Sequence, residues 1–96
     1  MKKLPIVLPV LMLLWLFITI PLHAQEDYSY YNNLAKKEYE TKNYYTAIDY
    51  ATRSLNASLN GEAYWWRGMS KYYLESYLDA ITDFTSALSY YSSNRS

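Results

Sequence analysis

Cysteine is absent from this chain, so neither a disulfide framework nor a bacterial lipobox anchor is open to it, and its fold rests on packing alone. Histidine occurs once, as His23, and the three prolines (Pro5, Pro9 and Pro21) all lie before it; glycine is confined to Gly61 and Gly68. After residue 24 the commonest nucleophile, general base and transition-metal ligands are therefore missing together. A Ser-His-Asp arrangement is impossible there, and no Gly-rich phosphate loop or paired-glycine fingerprint is present. No catalysis, no cofactor and no metal are expected.

The first quarter reads differently from the rest. Met1, Lys2 and Lys3 give a positive start, and Leu4 to Leu22 carries no charge and is dominated by Leu, Ile, Val, Trp and Phe. Pro21 and Ala24 then close the run before acidic Glu26 and Asp27. This is the grammar of a secretory signal over residues 1–24, cleaved after Ala24, which makes the product periplasmic or extracellular. The alternative is an uncleaved, membrane-anchoring segment, since about 19 apolar residues just span a bilayer. Three prolines make it a poor permanent helix.

Beyond residue 24, seven Lys/Arg stand against nine Asp/Glu, a net charge near −2. Nucleic acid is not an expected partner, because such binding neutralises phosphates with a basic surface.

What fills residues 25–96 is a repeat. Tyr44, Ala47, Ile48 and Leu55 are answered 33 residues later by Tyr77, Ala80, Ile81 and Leu88, and upstream Tyr31 and Tyr39 are answered by Tyr64 and Tyr72. A fixed period of this size marks stacked supersecondary units. Apolar residues step by three and four within each unit (Tyr77, Ala80, Ile81, Phe84, Ala87, Leu88, Tyr91), which predicts helices with one buried face. Breaks fall at Thr41-Lys42-Asn43, Ser58 to Gly61 and Glu75-Ser76, giving four helices over about 27–41, 45–57, 62–74 and 78–91. Linkers so short force antiparallel hairpins. The expected fold is all-α: two antiparallel helix hairpins, about 28–60 and 61–91, stacked as a short α-solenoid behind an N-terminal hydrophobic signal helix.

The second unit closely resembles the tetratricopeptide repeat family, whose pattern of an aromatic, Leu-Gly, Tyr, then Tyr-x-x-Ala with a later aromatic and Ala is answered by Tyr64, Gly68, Tyr72, Tyr77, Ala80, Phe84 and Ala87. The first unit is a weaker copy, with Tyr31, Leu34, Ala35, Tyr39, Tyr44 and Ala47 in place, but Ala51 and Ser54 where the aromatic and alanine belong. One residue of the family's usual unit and its inter-repeat proline are missing. The resemblance covers about residues 28–91. It implies that Ala47, Gly68 and Ala80 are small where helix backbones approach, and that the first helix of each hairpin lines a peptide groove. By motif position the groove falls to Ser29, Asn32, Lys36 and Tyr39 in the first unit and Glu62, Trp65, Met69, Tyr72 and Tyr73 in the second. Such a groove suits an apolar or proline-containing extended segment better than an acidic tail.

The other candidates are weaker. A glycosidase-like carboxylate couple would have to come from Glu38/Glu40 or Asp79/Asp83. Residues two apart on a helix diverge, and Asp79 and Asp83 are expected on the face away from Ala80, Ile81 and Phe84, so both pairs read as solvated. The sequons at Asn56 and Asn94 matter only in a eukaryotic secretory pathway. Thirteen tyrosines exceed what two hairpins bury, so some are expected at the surface, where aromatics serve binding. Two units are also fewer than such arrays usually need, so Ile81, Phe84, Leu88 and Tyr91 are expected to be partly uncovered and open to self-association. The functional expectation is an exported, non-catalytic module that binds a protein or extended peptide. The competing one is a truncated fragment of a larger envelope scaffold or sensor without independent function.

Overall fold

A computed structural model describes residues 27–93, so the expected signal segment, its expected cleavage after Ala24 and the Asn94 sequon lie outside the described residues. Four helices occupy them and no strand is found among them: α1 (Tyr28–Glu40), α2 (Tyr44–Ala57), α3 (Gly61–Tyr73) and α4 (Tyr77–Ser93). α1 packs on α2 and α3 on α4, as two hairpins; α3 also lies against both α2 and α1. α4 touches α3 alone among the described helices.

Both hairpin turns close in the same way. The amides of Lys42 and Asn43 donate to the carbonyls of Tyr39 and Glu38, and those of Glu75 and Ser76 to the carbonyls of Tyr72 and Lys71. This is the Schellman pairing that satisfies the last carbonyls of a helix. Lys42 and Glu75 each take φ of 67°, the left-handed region usually given to glycine. The two residues are 33 apart, so the repeat is written in the backbone as well as in the side chains. Both lie within the breaks read from the sequence, where a lysine and a glutamate hold the left-handed position.

The buried apolar residues are small: Ala35, Ala47, Ala51, Ala63, Ala80 and Ala87, with Leu55 the exception. Small side chains let two helix backbones approach closely, and the aromatic residues wrap the flanks. Tyr50, Tyr64 and Trp66 pack against the cluster of Ala35, Ala51, Leu55 and Ala63. Gly68 is the tightest point. A Cβ there would stand 2.8 Å from two ring carbons of Phe84 and 3.2 Å from the Asp83 Cβ. Gly68→Ala gains about 1 kcal/mol of helix propensity but meets an overpacking cost of about 1–3 kcal/mol. We expect a net loss, read as a lower thermal midpoint by circular dichroism; a higher midpoint would show that the Phe84 ring yields freely.

α4 meets one expectation and corrects another. Ala80 and Ala87 turn inward, while Ile81 and Leu88 stay 59% and 66% exposed, partly uncovered as expected. Asp83, expected in solvent beside Asp79, is 2% exposed. It lies between Ala80 and Ala87 in the inward row, because steps of three and four residues place 80, 83 and 87 on one side of a helix. Asp79 is exposed, as expected.

A candidate aromatic surface over the hairpin turns

The residues singled out in the sequence lie in three different places. Asn32 is not on a surface at all: it is 4% exposed, and its Nδ2 donates to Asn60 Oδ1 at 2.9 Å. The Ser54 hydroxyl lies 2.6 Å from Asn32 Oδ1 and accepts from Asn60 Nδ2 at 3.0 Å. Asn60 Oδ1 also caps α3 by accepting from the Ala63 amide. This buried clasp joins α1, α2 and the start of α3, and it gives Ser54 a reason to stand where the family pattern has alanine. Asn32 therefore belongs to packing, as the correction to its expected groove position.

Trp65 packs against Phe84, ring centroids 5.3 Å apart, and Tyr72 against Tyr77 at 5.5 Å, so both turn toward α4. Lys36 and Glu62 are exposed and Met69 is half-buried. Tyr39 and Tyr73 come together at 5.9 Å.

Two residues that sequence reasoning did not place in the groove join them. Trp66 sits 5.4 Å from Tyr39, with its indole N–H donating to Glu62 Oε2. Tyr44 stacks on Tyr73 at 5.3 Å with the planes 6° apart, and lies 6.0 Å from Tyr39. The signal for Trp66 was available: 62, 66, 69 and 73 follow the four-three helical step on the side of α3 facing α1, whereas 65 and 72 follow it on the side facing α4. Tyr44 begins α2, so only the turn geometry brings it beside the end of α3.

The result is a continuous aromatic surface over the turn end of both hairpins. It runs from Trp66 through Tyr39, Tyr44 and Tyr73 to Tyr72, which meets Tyr73 edge-on at 5.4 Å. Tyr72 and Tyr73 are about half exposed. Burial, then a hydrogen bond with Tyr73 and the neighbouring Tyr73 and Tyr44 phenols, push the Tyr39 phenol above its ordinary pKa. The surface offers ring faces and phenolic hydroxyls.

Among the described residues no group of three or more Asp and Glu side chains converges as metal ligands would. Asp83 is engaged by Arg67 and Lys71. Glu38 accepts from the Asn43 side chain within its own turn. None of the described helices is long and apolar enough to cross a membrane. No protein-family model matches the chain, and neither the curated proteins nor the solved structures compared with it give a match.

Proposed function

We propose that this chain is an exported, non-catalytic interaction module of the tetratricopeptide kind, whose two hairpins stack as a short solenoid and hold an extended apolar or proline-containing peptide across the aromatic surface. The observation that carries the reading is the run of rings from Trp66, Tyr39 and Tyr44, which are half-buried, to Tyr73 and Tyr72, which are about half exposed. Rigid aromatic side chains give large contact area at a low cost in entropy, and a proline-rich strand is already extended before it binds. The 33-residue period supports the repeat assignment, and the apolar run after Lys2 and Lys3 supports export. No histidine or cysteine follows residue 24, which favours binding over chemistry.

The test is a titration of proline-rich and acidic peptides followed by tryptophan fluorescence. Proline-rich peptides are expected to bind better, and Tyr73→Ala to weaken them by about tenfold, the loss of one contact of about 1.4 kcal/mol. Equal or better binding of the acidic peptides, or an unchanged affinity in Tyr73→Ala, would sink the proposal. A second reading, part of a larger envelope scaffold or sensor, is favoured by the uncovered outer side of α4, which a further unit of the same kind would suit.

A further inference from the structure

A stripe along α4 carries Tyr77, Ile81, Phe84, Leu88 and Tyr91, spaced four, three, four and three residues apart, with Phe84 half-buried against Trp65 and Gly68 of α3. That spacing is the seam of a helix that packs on another at a shallow angle. The same stripe exists in the first unit, 33 residues earlier, as Tyr44, Ile48, Ala51, Leu55 and Ser58. There α3 lies on it, and Ala51 and Leu55 are buried. In the second unit no described helix does so, and Tyr77, Ile81, Leu88 and Tyr91 are each about half exposed or more. The stripe thus continues an interface already made once within the chain.

What covers it is decided by the residues available. Were a second copy to stack head to tail, its α1 would play the part of α3. α3 brings Ala63, Trp66, Ser70 and Tyr73 to its neighbour; α1 has Tyr30, Asn33, Lys37 and Glu40 at the matching positions. Two charges and a bulky ring then face an apolar stripe where a close approach needs alanine, so this stack is disfavoured. The stripe itself is a better match. Read in either direction it runs tyrosine, branched aliphatic, phenylalanine, branched aliphatic, tyrosine, so it is palindromic in residue class about Phe84. It carries no charge, and the positions beside it are Leu78, Thr85 and Ser92 on one side and Ala80 and Ala87 on the other, so two copies bring no like charges together. An isologous interface requires this kind of self-complementarity.

We infer that two copies of this chain pair through α4 in antiparallel fashion about a two-fold axis near Phe84, setting Tyr77 against Tyr91 of the second copy and Ile81 against Leu88. The inference does not rest on the peptide-binding proposal: the two surfaces meet where Tyr77 lies 5.5 Å from Tyr72, whereas Leu88, substituted in the test, stands about 16 Å further along α4.

The absence of native cysteine makes the test direct. Two full-length single-cysteine variants, Tyr77→Cys and Tyr91→Cys, carrying different tags, are mixed and treated with a short bis-maleimide. The antiparallel pair is expected to give the mixed 77–91 product well above either self-product. The two positions are about 21 Å apart along one helix, so a parallel pair would give the self-products instead. Association through residues 4–22 would favour neither pairing. In sedimentation, Leu88→Glu is expected to weaken the dimer by at least about thirtyfold, with helicity by circular dichroism and peptide affinity unchanged. Dominant self-products, a crosslink of Tyr30→Cys to Tyr91→Cys indicating a head-to-tail chain, a monomer at every concentration, or a dimer undisturbed by Leu88→Glu would each overturn it.

Discussion

Asp83→Ala is expected to destabilise the folded chain by about 3 kcal/mol, the low end of the range for leaving buried charge unpaired. Asp83 Oδ1 and Oδ2 accept the Arg67 guanidinium as a fork at 2.9 and 3.0 Å, and Oδ2 also accepts from Lys71 Nζ at 3.0 Å. Arg67 reaches further, donating through Nη1 to Thr52 Oγ1 on α2 and lying over the Tyr64 ring. One carboxylate on α4 thereby organises α3 and, through Arg67, its contact with α2. Truncation strands two cations whose side chains are each 21% exposed, and this residual access to water is why the low end applies. For a domain of this size each kcal/mol is worth about 4–8 °C, so a thermal melt should fall by more than about 10 °C. Total stability is expected at only about 0.05–0.15 kcal/mol per residue, so the variant stands close to unfolding at room temperature. The cost comes from unpaired charge rather than from lost attraction. The triple variant Asp83→Leu, Arg67→Met, Lys71→Met should therefore be more stable than Asp83→Ala alone. A midpoint unchanged in Asp83→Ala would mean that Arg67 and Lys71 simply turn out to water.

The second large effect falls on Asn60→Ala, with an expected loss of about 2–3 kcal/mol. About 1 kcal/mol is the N-cap of α3. The remainder is the cost of leaving the buried amide of Asn32 and the hydroxyl of Ser54 without their Asn60 partners. Asn60→Asp separates the two: it keeps an oxygen for the Ala63 amide but loses the Nδ2 donors to Ser54 Oγ and the Ser58 carbonyl. The expected order of thermal midpoints is wild type, then Asn60→Asp, then Asn60→Ala. If Asn60→Asp matched wild type, the clasp would add nothing beyond the cap.

The helices were legible because their signal is local. Apolar steps of three and four residues, with breaks at 41–43, 58–61 and 75–76, placed each observed boundary within about two residues. The small residues at 47, 68 and 80 were legible for the same reason, since a repeated Ala or Gly at a fixed period marks backbone approach. The candidate surface was legible only in part. Tyr39 and Tyr73 were assigned to one groove and do meet, but Trp65 was named where Trp66 stands, because one helical step of 100° decides which neighbour a side chain faces. Asn32 was placed by motif position and Asp83 by its helical face, and neither signal reports burial. Their burial depends on partners 28 and 22 residues away in one case and 16 and 12 in the other.

By itself, then, the sequence determined the all-helical character of the described residues 27–93, the 33-residue period, the exclusion of disulfides, and the lack of histidine and cysteine chemistry after residue 24. These are properties of composition and of residues close in the chain. Tertiary structure alone decided which polar groups are buried and how five aromatic rings from α1, α2 and α3 form one surface. Those outcomes depend on how helices meet, and a contact between residues far apart in sequence has no local pattern to announce it.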